Sequence, residues 1–187
     1  MTPTIFNPYR YAAGGTEVEY EQLTGTTNTV QSTTVDFGQG LAINASDSQL
    51  IGAKPTKFSV YGKKYGSPSG DSYCVICKYT DSPPLSNVLA TSNVINANTW
   101  TTSNEWHEYE FDGSYALVQY DSINFIYMSG DPTNYIITKQ LSTGQVFETG
   151  KCFWNLGTSS IWLGSATAYP NMWGANQDAR FKLTVIE

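Results

Sequence analysis

Short stretches of alternating apolar and polar residues recur along this chain, and nearly every one is cut off by Gly, Pro, Asn or Asp. Lys57-Phe58-Ser59-Val60-Tyr61-Gly62-Lys63-Lys64-Tyr65 alternates and is rich in aromatics, and Gly66-Ser67-Pro68-Ser69-Gly70 is a block of breakers. Asp71-Ser72-Tyr73-Cys74-Val75-Ile76-Cys77-Lys78-Tyr79 follows, so the two runs read as a β-hairpin. Asp81-Ser82-Pro83-Pro84 ends it, because consecutive prolines cannot continue a ladder. Further strands read at 105–111, 122–129, 134–141, 152–156, 160–163 and 179–186. No segment of ten or more residues carries a convincing 3.6-residue period. Many short strands without helices predict an all-β fold, an antiparallel sandwich or barrel.

The first residues differ from the rest. Residues 24–34, Thr-Gly-Thr-Thr-Asn-Thr-Val-Gln-Ser-Thr-Thr, have almost nothing to bury, while Glu17-Val18-Glu19-Tyr20-Glu21 alternates acidic and apolar. The expectation is an extended N-terminal arm with one strand over 1–34, then a sandwich over 35–187. Such an arm either adds an edge strand to its own sheet or reaches a neighbouring subunit.

Composition narrows the class of function. Of 187 residues, 40 % are hydrophobic and only 14 % charged, against about 25 % charged in an average soluble domain. The polar surface is therefore built from Ser, Thr, Asn, Gln, Gly and Tyr, a bias common in exposed and virion proteins. A net charge of −6 with ten scattered basic residues argues against nucleic acid, whose phosphates need clustered lysines and arginines. It also offers nothing to an anionic membrane surface, and no window is apolar enough for a membrane span. Met1-Thr2-Pro3-Thr4-Ile5-Phe6-Asn7-Pro8 lacks the basic and apolar regions of a signal peptide. That fits a virion component assembled in a cell, or a secreted module whose leader has been removed.

Three cysteines, Cys74, Cys77 and Cys152, make a disulfide framework improbable. Cys74-Val75-Ile76-Cys77 has metal-site spacing, but on a strand positions three apart face opposite ways, and a single His leaves no way to complete four ligands. Both are expected to be buried free thiols without metal.

A larger pattern joins these pieces. Phe37-Gly38-Gln39-Gly40-Leu41, the strand 57–65, Gly66-Ser67-Pro68-Ser69-Gly70 and a second strand are followed by Leu89-Ala90-Thr91-Ser92, Glu105-Trp106-His107-Glu108-Tyr109-Glu110-Phe111 and Ser122-Ile123-Asn124-Phe125-Ile126-Tyr127. This order resembles the jelly-roll β-sandwich domains of phage and archaeal-virus structural proteins, prokaryotic surface proteins and carbohydrate-binding modules. The resemblance covers about residues 35–187 and implies a jelly-roll fold, commonly without catalysis and sometimes with a structural calcium. The acids Asp71, Asp81, Asp112, Asp121 and Asp131 stand apart, so no calcium loop is evident; no cofactor is expected, and a structural calcium stays open.

Within 105–111, His107, Tyr109 and Phe111 share one face, read as core, and Trp106, Glu108 and Glu110 share the other. His107 is expected to be a partly buried structural residue bonded to a neighbour. Glu108 and Glu110 are about 7 Å apart along one face, within the range of a glycosidase pair, but nothing in the sequence buries either to raise its pKa. With no nucleophile elbow, phosphate loop or dinucleotide fingerprint, no catalytic residues are expected. Trp154 and Trp162 read as core plugs. The loop 165–178 is long and aromatic, the kind of segment in which recognition concentrates. Tyr169, Trp173, Asn171 and Asn176 are its candidate ligand contacts, with Trp106 as a further one.

Two functions stay open. One is a non-catalytic structural or binding subunit of a virion or surface assembly, of the capsid-decoration or fibre type. It would meet other copies of itself, or capsid or surface-layer proteins, through the N-terminal arm. The other is a carbohydrate-binding module of a secreted or surface protein, with glycans as its partners. Either places the chain in a virion or at the cell surface.

Overall fold

The computed structural model of the chain describes residues 15–22, 27–31, 36–43, 46, 48–78, 87–141, 150–156, 171–172 and 178–187. Among these there is no α-helix. The strands are β1 (Glu17–Gln22), β2 (Thr27–Gln31), β3 (Asp36–Ile43), β4 (Lys54–Tyr65), β5 (Asp71–Lys78), β6 (Val88–Asn96), β7 (Glu105–Glu110), β8 (Asp121–Tyr127), β9 (Tyr135–Leu141), β10 (Gly150–Leu156), β11 (Asn171–Met172), β12 (Asp178–Ala179) and β13 (Phe181–Ile186). The all-β expectation holds.

Pairing divides them into two antiparallel sheets. In one, β4 is central: β13 runs along Lys54–Val60, β7 along Lys57–Gly62 and β9 along Gly62–Tyr65. In it β1 lies outside β13, and β2 and β12 pair with β9. The other runs β10, β3, β8, β5, β6. One parallel bridge, Gln31 of β2 with Asp36 of β3, links the sheets. β3 and β8 approach so closely that a Cβ on Gly40 would lie 2.0 Å from the Ile123 carbonyl oxygen, so no larger residue fits there.

The core lies between the sheets. Phe58, Val60, Tyr109, Phe181, Leu183 and Val185 come from the first, and Leu41, Ile43, Cys74, Ile76, Ile123, Phe125 and Tyr127 from the second, all buried. Contact across the layers is direct: the Tyr109 and Phe125 rings are 5.6 Å apart, and the Tyr109 and Ser72 hydroxyls hydrogen-bond at 2.7 Å. β8 is buried on both faces, with Ser122, Asn124 and Ile126 away from this core.

The expected hairpin of 57–65 with 71–79 does not form. β4 pairs with β13, β7 and β9, while β5 pairs with β6 and β8. Residues 66–70 instead carry the chain from one sheet to the other, with Gly66 and Gly70 at φ of 68° and 81° and Ser67 N donating to Asn134 Oδ1 at 2.8 Å. An arch and a hairpin impose the same alternation on their strands, because both bury every second residue. Alternation alone therefore cannot tell them apart.

β6 is absent from the sequence-based expectation. Its buried side rests on Leu89, Ala90 and Ile95 packed against the core, too few apolar residues among Thr, Ser and Asn to stand out. The expected strand at 160–163 lies outside the described residues. Of the segment read as an arm, residues 1–14 lie outside them too. Glu17–Gln22 pairs with β13 and Thr27–Gln31 with β9, within the chain's own sheets, and Val18 and Tyr20 pack on the core.

Cys74 sits in the inter-sheet core, and Cys77 on the opposite face of β5 beside Ala42, Val75 and Ile126, as strand geometry requires. Neither is in a disulfide, and burial pushes the Cys74 thiol well above the usual range. Native-state alkylation at neutral pH should therefore leave the Cys74–Cys77 peptide unmodified until the domain is unfolded, as peptide mapping would show. Rapid labelling in the native state would contradict this burial.

Candidate functional site

The lead-in to β7 is shaped by local hydrogen bonding. Asn96 Oδ1 accepts from Asn98 N at 3.0 Å and caps a 3-10 turn over Ala97–Thr99. The turn drops Trp100 into the core, where it is 1 % exposed. The Trp100 ring stacks on His107 at 3.5 Å and 10° and meets Phe125 at 5.7 Å.

β7 presents the faces the alternation predicts: His107 and Tyr109 are buried, and Trp106, Glu108 and Glu110 point outward. His107 lies on the core side at 8 % exposure, the face that its parity assigns. Its Nε2 and Trp100 Nε1 make no hydrogen bond, and a hydrogen bond with the Gly62 backbone helps hold the ring. Burial lowers its pKa to about 4, against the raising influence of Glu105 and of that backbone bond.

The outward face of the same sheet brings together residues distant in sequence. Register opposes Tyr61 to Trp106, and their rings tilt together at 5.1 Å. Arg180, one residue before β13, lays its guanidinium 3.7 Å above the Tyr61 ring and 5.5 Å from Trp106. Lys182 Nζ also stands 5.5 Å from Trp106 and faces Glu19 and Glu21 of β1 at 3.5 and 3.6 Å. Lys57 Nζ bonds Glu108 Oε1 at 2.9 Å. Four residues beyond Tyr61 on the same face, Tyr65 stacks on Tyr135 at 4.9 Å and 17°, with Tyr65 54 % exposed.

Of the candidate ligand contacts, Trp106 is half-buried on this face. The backbone of Asn171 pairs with Trp154 of β10. Tyr169, Trp173 and Asn176 lie outside the described residues, as does Trp162. Glu108 is ion-paired and Glu110 exposed, side by side on an outward strand face rather than opposed across a cleft. Among the described residues no group of three His, Cys, Asp or Glu is placed to hold a metal ion.

Compared with protein-family models, with curated proteins and with solved structures, the chain matches none. The site therefore has to be read from its own chemistry. Tyr61 and Arg180 escape a sequence reading because their proximity to Trp106 depends on β7 and β13 flanking β4 on opposite edges. The only signal was that Tyr61 shares its strand's outward parity with Lys57 and Tyr65.

Proposed function

We propose that the chain is a non-catalytic structural and binding domain of a virion or surface assembly, its two sheets arranged as a jelly roll. Its partners in this reading are other copies of itself, or capsid or surface-layer proteins. The strand order runs from β1 at one end to β6 at the other, and β6 carries the reading. It is nine residues long, contains no charged residue or proline, and exposes Val88 by 43 % and Val94 by 54 %. Proteins that stay apart usually protect such strands with charge or proline; β6 is laddered to β5 and meets β7 through Glu110 N donating to Asn93 Oδ1 at 2.8 Å. The contact expected of the N-terminal arm belongs to the other end, where β1 borders its sheet.

Light scattering over a range of concentrations tests this. The unmodified chain should run as an oligomer, and Val94→Lys should shift it to the monomer mass with stability changed by no more than about 0.5 kcal/mol, as for ordinary surface substitutions. A chain that is monomeric at every concentration, and that binds no surface protein, would defeat the assembly reading.

A second reading, a carbohydrate-binding module, is favoured by one specific observation: the outward cluster of Trp106, Tyr61 and Arg180. Aromatic faces suit the apolar C–H faces of pyranose rings, and a neighbouring polar group supplies orientation. The two readings are compatible, since surface assemblies present binding faces.

A further inference from the structure

We infer that the outward face around Trp106 is a platform for an acidic glycan, a chain of pyranoses bearing carboxylates. This rests on the carbohydrate-binding reading and names its ligand class. The cations of this face divide into matched and unmatched. Lys182 is opposed by Glu19 and Glu21, and Lys57 is paired with Glu108. Arg180, like Lys63 two residues beyond Tyr61 on the same strand face, has no carboxylate within salt-bridge distance among the described residues. Its guanidinium is held on the Tyr61 ring, and its enclosed Nε makes no hydrogen bond.

A guanidinium stacked on an aromatic ring is pre-ordered, so little side-chain entropy is lost when a ligand engages it. Its planar fork suits a carboxylate, which accepts two parallel N–H bonds. Trp106, 5.5 Å from that guanidinium, stands where a sugar ring bearing the carboxylate would stack. Glu19, Glu21 and Glu108 each lie within salt-bridge reach of a lysine, and the exposed Glu110 stands four residues from Trp106, about 13 Å along the strand at roughly 3.3 Å per residue. The Tyr65–Tyr135 pair adds a second aromatic surface about 13 Å further along the same strand face, at roughly 3.3 Å per residue. Two aromatic surfaces on one line fit an oligosaccharide better than a single sugar.

Calorimetric titration of the full chain with hexagalacturonate, neutral galactohexaose and hexaglutamate tests this. Hexagalacturonate should bind at least about tenfold more tightly than galactohexaose, as a charge-assisted fork implies, and hexaglutamate should not bind. Trp106→Ala should weaken both sugars about tenfold, the usual scale for an anchor. Arg180→Gln should weaken hexagalacturonate about tenfold and leave galactohexaose within about twofold. Should Arg180→Gln fail to fold, a salt titration of the unmodified chain decides: hexagalacturonate binding should weaken severalfold from about 50 to 500 mM NaCl while galactohexaose is unchanged. If both hexamers bind alike and neither Arg180→Gln nor salt distinguishes them, the acidic-ligand inference falls and the glycan reading stands. If neither hexamer binds, both fall.

Discussion

Replacing Asp121 with alanine should destabilise the fold by about 3–5 kcal/mol, the range for removing one partner of a buried ion pair. Asp121 is fully buried at the start of β8, and each carboxylate oxygen is engaged. Lys78 Nζ lies 3.0 Å from Oδ1; the Tyr115 hydroxyl and the Val118 N–H donate to Oδ2 at 2.9 and 2.8 Å. One side chain thus ties the end of β5 to the connection that follows β7. The same corner holds Tyr120 at φ 73°, the left-handed region, with Tyr120 N bonded to Ile43 O at 2.8 Å. Alanine strips partners from the half-buried Tyr115 phenol and from a backbone amide, and the backbone strain at Tyr120 loses one of its restraints. Because Lys78 is one-third exposed, its ammonium can turn to water, which favours the lower half of the range. Tyr115→Phe, which removes one hydrogen bond and keeps the carboxylate, should cost only about 1–2 kcal/mol. Urea unfolding of both variants checks this, and an Asp121→Ala loss below about 1 kcal/mol would contradict the picture.

Acidification should cost the fold about 3 kcal/mol through His107 alone. Its pKa falls from 6.5 to about 4 on folding, chiefly because burial against Trp100 disfavours the charged ring. Between those values the unfolded chain takes up a proton that the folded chain refuses, so stability drops as pH falls. The loss begins near pH 6.5, grows at about 1.4 kcal/mol per pH unit and levels off below about pH 4. The charged group nearest the ring is Glu105, 3.9 Å from Nε2 and half exposed. Its carboxylate favours the imidazolium but is too well solvated to offset burial. His107→Phe keeps an aromatic ring under Trp100 and removes the titration. Carboxylates also protonate in this range, so the informative quantity is the difference between the two chains measured from pH 7.5 to 4. A constant difference across that window would mean that His107 is not held neutral.

Much of this molecule is written in local alternation. The parity of Glu105–Phe111 assigns Trp106 to the outside and His107 to the core, and the spacing of Cys74 and Cys77 sends them to opposite faces, because a strand's side chains alternate whatever it pairs with. Breakers such as Gly66–Gly70 mark where strands end, because Gly, Ser and Pro favour turns in any fold. Partnership is another matter. Whether the turn at 66–70 makes a hairpin or an arch depends on which distant strand offers β4 a better edge, and that is decided by β13, β7 and β9 together. β6 is recognisable only once β5 supplies its ladder, since its own polar residues show little that must be buried. Tyr61, Trp106 and Arg180 lie 45 and 74 positions apart in consecutive steps along the chain, and only the register of three strands sets a guanidinium over a tyrosine beside a tryptophan. Local sequence determined which face each residue occupies, because that follows from backbone geometry within a few residues. Tertiary structure decided which faces meet, because that follows from a competition among strand edges spread over the whole chain.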